Sequence, residues 1–545
     1  MVSRRIAAKI DFLLSRERGT VHKDPGGKIS VCIVYPNTYH IGMSNLGFQG
    51  VYTVLNGRAD VVCERAFFPD EEDRGEYLRT QSEIVSMESR RPLNRFDIVA
   101  FSVSFENDYP NVLAILHMAR IPIRAAERKD VHPLLAMGGV CAFSNPEPLA
   151  HFFDIVFIGE AEEMLPEFMD SYRDSRSRED LRERVKGIDG LYLPQQYVIT
   201  YGADGSIAGR KAWGGAPDRI RRRVVKEISG HSFRPSIITS ETEFSGMYLT
   251  EAMRGCPWSC RFCVAGSVYK PVRKKDPGIL REEIAGAVAM SNRVGLIAPS
   301  LTDYPHTRDV LCMEGVDFSI TSLRASKKSA ELMRFLRGHK SVSIAPEAGT
   351  QRLRNVIDKR ITEEDIIETA ELILAGGIET LRLYFMVGLP TEGEKDIEGI
   401  TLLVKKIREI SEKGKIVLTL STFVPKPFTP FQWHPMEKME VVKGRLKSVK
   451  QHLAPLRGVK VFHDIPKYAY MQGLFSRGDR RISGVLEKMK DIEDWRKASG
   501  EAGIDADSSL FRQRDVRDIL PWDFIDNYIP KEKLWTEYQK ALADA

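Results

Sequence analysis

Three of the chain's seven cysteines fall within eight residues, in Cys256-Pro-Trp-Ser-Cys260-Arg-Phe-Cys263. Thiolates are the usual ligands of iron–sulfur clusters. Three of them at i, i+4 and i+7 on a loop reach three irons of one 4Fe–4S cubane and leave the fourth iron without a protein ligand. An open position is what a catalytic metal site requires, as on catalytic zinc. Zinc itself would ask for a nearby fourth Cys or His. The nearest, His231 and Cys312, are distant in sequence, and no second C-x-x-C occurs. An electron-carrier cluster would show four cysteines, and three buried bystander thiols are the bland alternative.

The cysteine run directly follows a strand, Tyr248–Glu251, and that strand opens a series. Strand-like runs at 294–298, 317–321, 341–345, 380–386 and 416–423 alternate with helical stretches at 279–292, 326–336, 350–356, 362–375 and 394–413. Thr362-x-x-Asp365 predicts a capped helix start, and Gly376-Gly377 its stop. Six βα units predict a partial (β/α)6 barrel over 246–435, with its chemistry at the carboxyl ends of the strands. Ahead of it, 29–170 shows the same alternation. Apolar runs at 29–35, 97–104, 134–138 and 154–158 predict a Rossmann-like parallel sheet covered on both faces. Residues 1–28 read as an amphipathic first helix, 171–245 as a connector with little core of its own and an edge strand or hairpin at 191–201, and 436–545 as a helical extension packed down by its aromatics.

Composition excludes several classes. With 545 residues and seven cysteines there is no disulfide framework. A net charge of +5, from 80 basic and 75 acidic residues, is too balanced to argue for nucleic acid by itself, although basic residues cluster at 219–223 and 270–275. No apolar run is long enough to span a membrane, and the first residues lack the apolar core of a signal peptide, so a cytoplasmic location is expected, with no membrane partner.

C-x3-C-x-aromatic-C after a first barrel strand resembles the signature of the radical S-adenosylmethionine (SAM) superfamily. Later strand ends extend the resemblance over about 245–435: Pro299-Ser300-Leu301-Thr302-Asp303, Ser319-Ile-Thr-Ser-Leu-Arg324, the segment from Ser343 to Arg352 with Glu347, Met386-Val-Gly388-Leu-Pro390, and Ser421 to Pro430. It implies that Cys256, Cys260 and Cys263 hold the 4Fe–4S cluster and that Phe262, Ser300, Asp303, Arg324, Glu347 and Gly388 contact SAM. Phe262 and Gly388 would meet the adenine, Glu347 the ribose, Arg324 the carboxylate, and Ser300 and Asp303 the ammonium. Arg324 read by itself is equally a surface residue, and Glu347 a helix cap. No further catalytic residue is assigned.

The front segment resembles the cobalamin-binding-like domain that precedes the barrel in many such enzymes, through VCIVYPNTY, FDIVAFSVSFEND and MGGVCAFSNPEPLAHFFDIVFIGEAEE. It departs from that pattern in lacking D-x-H-x-x-G. The nearest histidine, His40, has the wrong spacing, so cobalamin and its absence both stay open. A second cluster on Cys32, Cys63 and Cys141 is a further reading. The tail, with Arg477, Asp479, Arg480 and Leu520-Pro-Trp-Asp523, is similar to a little-characterised family of this type, and Arg477, Asp479 and Arg480 read either as a substrate entrance or as an ion-paired surface turn.

The resemblance implies reductive cleavage of SAM to a 5′-deoxyadenosyl radical, with an electron donor such as flavodoxin or ferredoxin. Methyl transfer is expected if cobalamin binds. Methylthiolation or another modification of tRNA or a ribosomal component is expected if it does not. A non-catalytic iron–sulfur or corrinoid sensor is the reading from another class. The substrate is open among small molecule, peptide and RNA.

Overall fold

The computed structural model describes residues 2–544 except 232, 321, 333–334, 336–338 and 412. A helix at Arg4–Ser15, capped by the Ser3 side chain, buries Ile6 and Ile10 as the amphipathic reading requires. The front sheet follows: β1 (Ile29–Tyr35), β2 (Val61–Phe67), β3 (Ile98–Ser102), β4 (Leu134–Gly138), β5 (Ile155–Phe157) and β6 (Leu191–Tyr192), in the order β2-β1-β3-β4-β5-β6. The first five are parallel and β6 is antiparallel. The continuous apolar runs exist because helices cover both faces. Every residue of β2 is buried, Arg65 included, whose guanidinium is paired with Glu17 at 2.8 Å and Glu88 at 2.7 Å. Burial without those partners would be severely destabilising. The order reverses between β1 and β3, which is where open α/β sheets bind ligands. Cys32 and Cys63 are wholly buried within β1 and β2, and Cys141 is buried in the helix Val140–Ser144. Burial pushes all three thiols far up, which suits packing rather than a second cluster.

The barrel strands are β7 (Tyr248–Glu251), β8 (Arg293–Ile297), β9 (Asp317–Ser319), β10 (Ser322–Leu323), β11 (Ser341–Glu347), β12 (Thr380–Val387), β13 (Lys415–Thr422) and β14 (Val459–His463). All the pairings are parallel, in one sheet of β7-β8-β9 and another of β10 to β14. Among the described residues the wall is split into these two sheets, and it exceeds the expected six strands by the short β10 and by β14, which lies beyond 435. The expected strand 317–321 and helix 326–336 run in part outside the described residues. Thr362 and Asp365 form a reciprocal capping box on the helix Glu363–Ala375, and Gly376 caps its end. The outward-facing side chains of β11, β12 and β13 share a core with helices Glu363–Ala375, Glu394–Ile410 and Met439–Leu453.

Connector and tail are more deeply woven in than their sequences suggest. Within 191–201, β6 is an edge strand, and Tyr197–Tyr201 forms a hairpin with Ile207–Ala212. Ile220–Arg221 pairs with Ile525–Asp526 of the tail, and Ile238–Thr239 with Glu17–Arg18. Tail residues Trp495, Trp522, Phe475 and Tyr538 belong to the same core as the front sheet. Arg477 and Arg480 are buried and line neither an entrance nor a surface turn, whereas Asp479 is half-buried and ion-paired with Arg481 at 2.6 Å. Arg480 Nε donates to Glu147 Oε2 of the front domain at 3.0 Å, and Arg477 Nε to the Ser509 carbonyl at 3.1 Å. The basic runs are also largely consumed: Arg223 pairs with Glu163 and Glu167, Arg273 with Glu160, and Lys275 with Glu283.

Candidate active site at the barrel mouth

The loop after β7 is pinched at its base. Met253–Arg254 pairs antiparallel with Arg273–Lys274, and Gly255 between them adopts φ 81°, where a Cβ would stand 2.5 Å from the Tyr269 carbonyl oxygen. Only glycine fits there. The base is bolted to the turn after β5: Arg273 reaches Glu160 at 2.6 and 2.8 Å, and Arg254 reaches Glu162 at 2.7 Å. Inside the loop, buried Arg261 ties down the second half. Its backbone N–H donates to the Ile357 carbonyl at 3.0 Å, and its Nη1 to the Val356 carbonyl at 3.0 Å and Asp544 at 2.9 Å.

Cys256, Cys260 and Cys263 are all half-exposed, unlike the buried Cys32, Cys63 and Cys141 and the exposed Cys312. Burial raises the Cys256 thiol and pushes Cys260 up to about 11, while Lys359 and Arg324 pull Cys260 back toward thiolate. Among the described residues no three His, Cys, Asp or Glu side chains gather tightly enough for a single metal ion. A cubane asks for something different, since each thiolate takes its own iron. Three thiols on one loop with two cations behind them fit that demand, and metal binding would displace their protons.

The other expected residues divide into two groups. Trp258, between the first two cysteines, ties several together. Its Nε1–H donates to Asp303 Oδ2 at 2.6 Å, and Ser300 Oγ donates to the same oxygen at 2.7 Å. The Arg324 guanidinium lies 3.7 Å over the Trp258 ring, a cation–π contact that holds its fork at the loop. Arg324 also donates to the carbonyls of Lys359 and Arg360. Glu347, at φ 66°, receives Lys359 Nζ at 2.9 Å. It is not a helix cap, because Thr350 caps the following helix. Phe262 is half-buried against the large core. The structure therefore gathers Ser300, Asp303, Arg324 and Glu347 about the cysteine loop. Gly388 has a different neighbourhood. Its φ of 89° demands glycine, its N–H donates to Glu392 Oε2 at 2.7 Å, and a Cβ there would meet Glu437 and Val442. Glu392, buried beside Arg445 at 3.0 Å, is pushed up to about 7 by burial.

Trp258 and Lys359 escape a reading of the sequence. Trp258 occupies an unspecified place inside the cysteine spacing, and Lys359 lies near no motif. Their roles exist only through contacts between separate strand ends.

Two family models match the chain. One, described as radical SAM proteins, N-terminal, covers residues 47–194, and one described as radical SAM superfamily covers 250–404. An uncharacterised protein of Methanocaldococcus jannaschii is 30% identical over 85% of this chain and 91% of its own length. An anaerobic magnesium-protoporphyrin IX monomethyl ester cyclase of Cereibacter sphaeroides is 23% identical over 60% of this chain, which spans about half (52%) of that protein. Among solved structures, the cobalamin-dependent S-adenosylmethionine radical enzyme OxsB with aqua-cobalamin bound aligns with a TM-score of 0.49 at 14% identity, over 95% of this chain and 80% of that one. The chain belongs to the radical SAM superfamily, whose cofactors are a 4Fe–4S cluster and SAM.

Proposed function

We propose that Cys256, Cys260 and Cys263 hold the 4Fe–4S cluster and that SAM lies against Trp258, Asp303 and Arg324. When bound, the cluster supplies an electron that cleaves SAM to methionine and a 5′-deoxyadenosyl radical, which abstracts hydrogen from the substrate. The observation that carries this reading is the Trp258 junction. One indole in the cysteine loop fixes both a carboxylate, Asp303, and a guanidinium, Arg324, which suit the ammonium and carboxylate of one amino acid. Lys359 holds Glu347 free of the following helix, so that its carboxylate can accept hydroxyls. Tight packing of the loop base against the front domain excludes water from one side of the site. The test is anaerobic reconstitution with iron and sulfide, then reduction with a flavodoxin system in the presence of SAM. Formation of 5′-deoxyadenosine and methionine is expected, and their absence refutes the reading.

A second reading concerns the front domain. Ser104, Gly138, Gly139 and Val140 are half-exposed at the carboxyl edge of the sheet beside its switch point, with Asn45 Nδ2 donating to Ser104 Oγ at 3.4 Å. Small, uncharged groups of this kind suit the flat face of a corrin. His40 does not join them, for it lines a separate cavity of about 330 Å³ with Lys9, Phe68 and Asp70. We propose that cobalamin, if taken up, rests there without a protein ligand to cobalt, where it would supply a methyl carrier. Incubation with hydroxocobalamin followed by gel filtration tests this: a retained corrinoid spectrum supports it, and a colourless protein fraction rejects it.

A further inference from the structure

Alternation along the barrel strands sorts their side chains into two faces. On β12, Leu381, Leu383, Phe385 and Val387 are buried against the surrounding helices, so Arg382, Tyr384 and Met386 face the inside of the wall. On β13, Ile416, Leu418 and Leu420 are buried against helices, leaving Val417, Thr419 and Ser421 inside. On β14, Val459 and Val461 pack on the same core, leaving Lys460 and Phe462 inside. The interior of a closed barrel is filled by layers of bulky side chains. Here the corresponding positions are more open, although Val417 is buried: Arg382 and Lys460 are exposed, Tyr384 is 37% exposed and Phe462 57%.

The pairing register arranges these residues in rows. Ser343, Arg382, Val417 and Lys460 form one row, and directly above it Tyr384, Thr419 and Phe462 form the next. Arg382 and Lys460 stand two strands apart, roughly 10 Å between backbones at the usual strand spacing. Long side chains from both flank Val417 and can reach one group placed between them. The aromatic row lies about 7 Å nearer the mouth.

Charge along the wall is polarised. The inner carboxylates are already engaged: Glu347 with Lys359, Glu251 with Arg254, and Asp317 near Arg293 in the other sheet. Arg382 makes one long hydrogen bond, from Nε to Ser341 Oγ at 3.4 Å. Among the described residues neither Arg382 nor Lys460 has a carboxylate partner, and Lys415, exposed at the first position of β13, adds to the same end. Two unpaired cations under two exposed aromatic rings, inside a wall, make a recognisable chemical pattern.

We propose that this inner wall is a substrate subsite for a molecule with a flat apolar body and an anionic arm. Arg382 and Lys460 take the carboxylate or phosphate by charge-assisted hydrogen bonds. Tyr384 and Phe462 take the flat body. Arg382 lies five residues below the end of β12, or about 16 Å. The anionic arm therefore acts as an anchor at depth and presents a distal carbon of the substrate at the mouth. This orientation rests on the reading that the mouth is the reactive end, whereas the binding itself does not.

The test is calorimetric titration of the full, anaerobically reconstituted chain with three probes: 2-naphthoate, 2-naphthyl phosphate and neutral 2-naphthamide. Both anions are expected to bind at least about tenfold more tightly than the amide. That gap is expected to close in R382Q/K460Q, and in the unmodified chain to shrink as salt rises from about 0.05 to 0.5 M. Tyr384→Ala is expected to weaken all three. The tighter of the two anions names the arm as carboxylate or phosphate. Equal affinity for the three probes, or an anion preference that survives both high salt and the double substitution, overturns the proposal. SAM cleavage measured separately on the same preparation separates the two readings: anion-selective binding without any cleavage would sink the radical chemistry and leave the subsite standing.

Discussion

The front sheet and the barrel wall are built from the same alternation of strand and helix, yet they use their strands in opposite ways. In the front sheet β1 and β2 are buried on both faces, and even Arg65 is drawn into the layer by its two carboxylates. In the barrel, β12 alternates residue by residue between buried and exposed or half-exposed positions. One sheet is a packed support. The other is a support on one face and a chemical surface on the other. Stability should therefore be concentrated in both faces of the first and in only the outer face of the second, with function at the inner face and the strand ends.

Replacing Cys260 by Ala should break the chemistry outright. Loss of reconstituted iron and of 5′-deoxyadenosine to background is expected, measured by iron analysis and chromatography, with the fold retained because the thiol is only half-buried. A next-largest effect contrasts adjacent residues of β12. Leu383→Ala removes a fully buried side chain and should cost about 2–5 kcal/mol. Tyr384→Ala, on the open face, should cost less than about 1 kcal/mol. Urea denaturation of the metal-free chain measures both, and equal costs would erase the two-face distinction.

A smaller effect depends on pH. Asp108, buried at the carboxyl edge of the front sheet, is pushed up to about 7 by burial and by nearby Glu106, against the Asn37 amide that donates to it at 2.8 Å. A carboxyl whose folded value is raised holds its proton longer folded than unfolded. Folding stability is then lost as pH climbs from about 4 through 7. Asp108→Asn should remove that loss, so the variant should gain on the unmodified chain between pH 5 and pH 8 by on the order of 1–3 kcal/mol. A constant difference across that range would contradict it. Smallest is Trp258→Phe. It keeps a ring for Arg324 but loses the N–H to Asp303, and should weaken SAM binding by about 1–2 kcal/mol with the cluster intact. Equilibrium dialysis with labelled SAM measures it.

Much of this architecture is legible in the chain itself. Apolar runs such as Ile29–Tyr35, the cap at Thr362 and the stop at Gly376 are local signals, and local signals survive into the fold. The cysteine triad is local too. β14 hides because Val459–His463 is short and mostly exposed at a sheet edge, so it lacks the apolar run that marks a buried strand. The Arg480–Glu147 pair hides for another reason. It joins residues 333 positions apart, and nothing near either one signals its partner. The Trp258 junction combines both difficulties, being one indole between cysteines that meets two other strand ends. The expected contacts at Ser300, Asp303 and Arg324 gather there, whereas Gly388, chosen by motif, turns to Glu392 and Val442.

The central claim is that Cys256, Cys260 and Cys263 leave one iron open for SAM beside Trp258, Asp303 and Arg324. Electron paramagnetic resonance of the reduced, reconstituted protein with and without SAM tests it most directly. SAM is expected to shift the signal of a 4Fe–4S cluster, and R324A to abolish the shift while the cluster remains. A spectrum indifferent to SAM, in protein carrying a full cluster, would contradict the account.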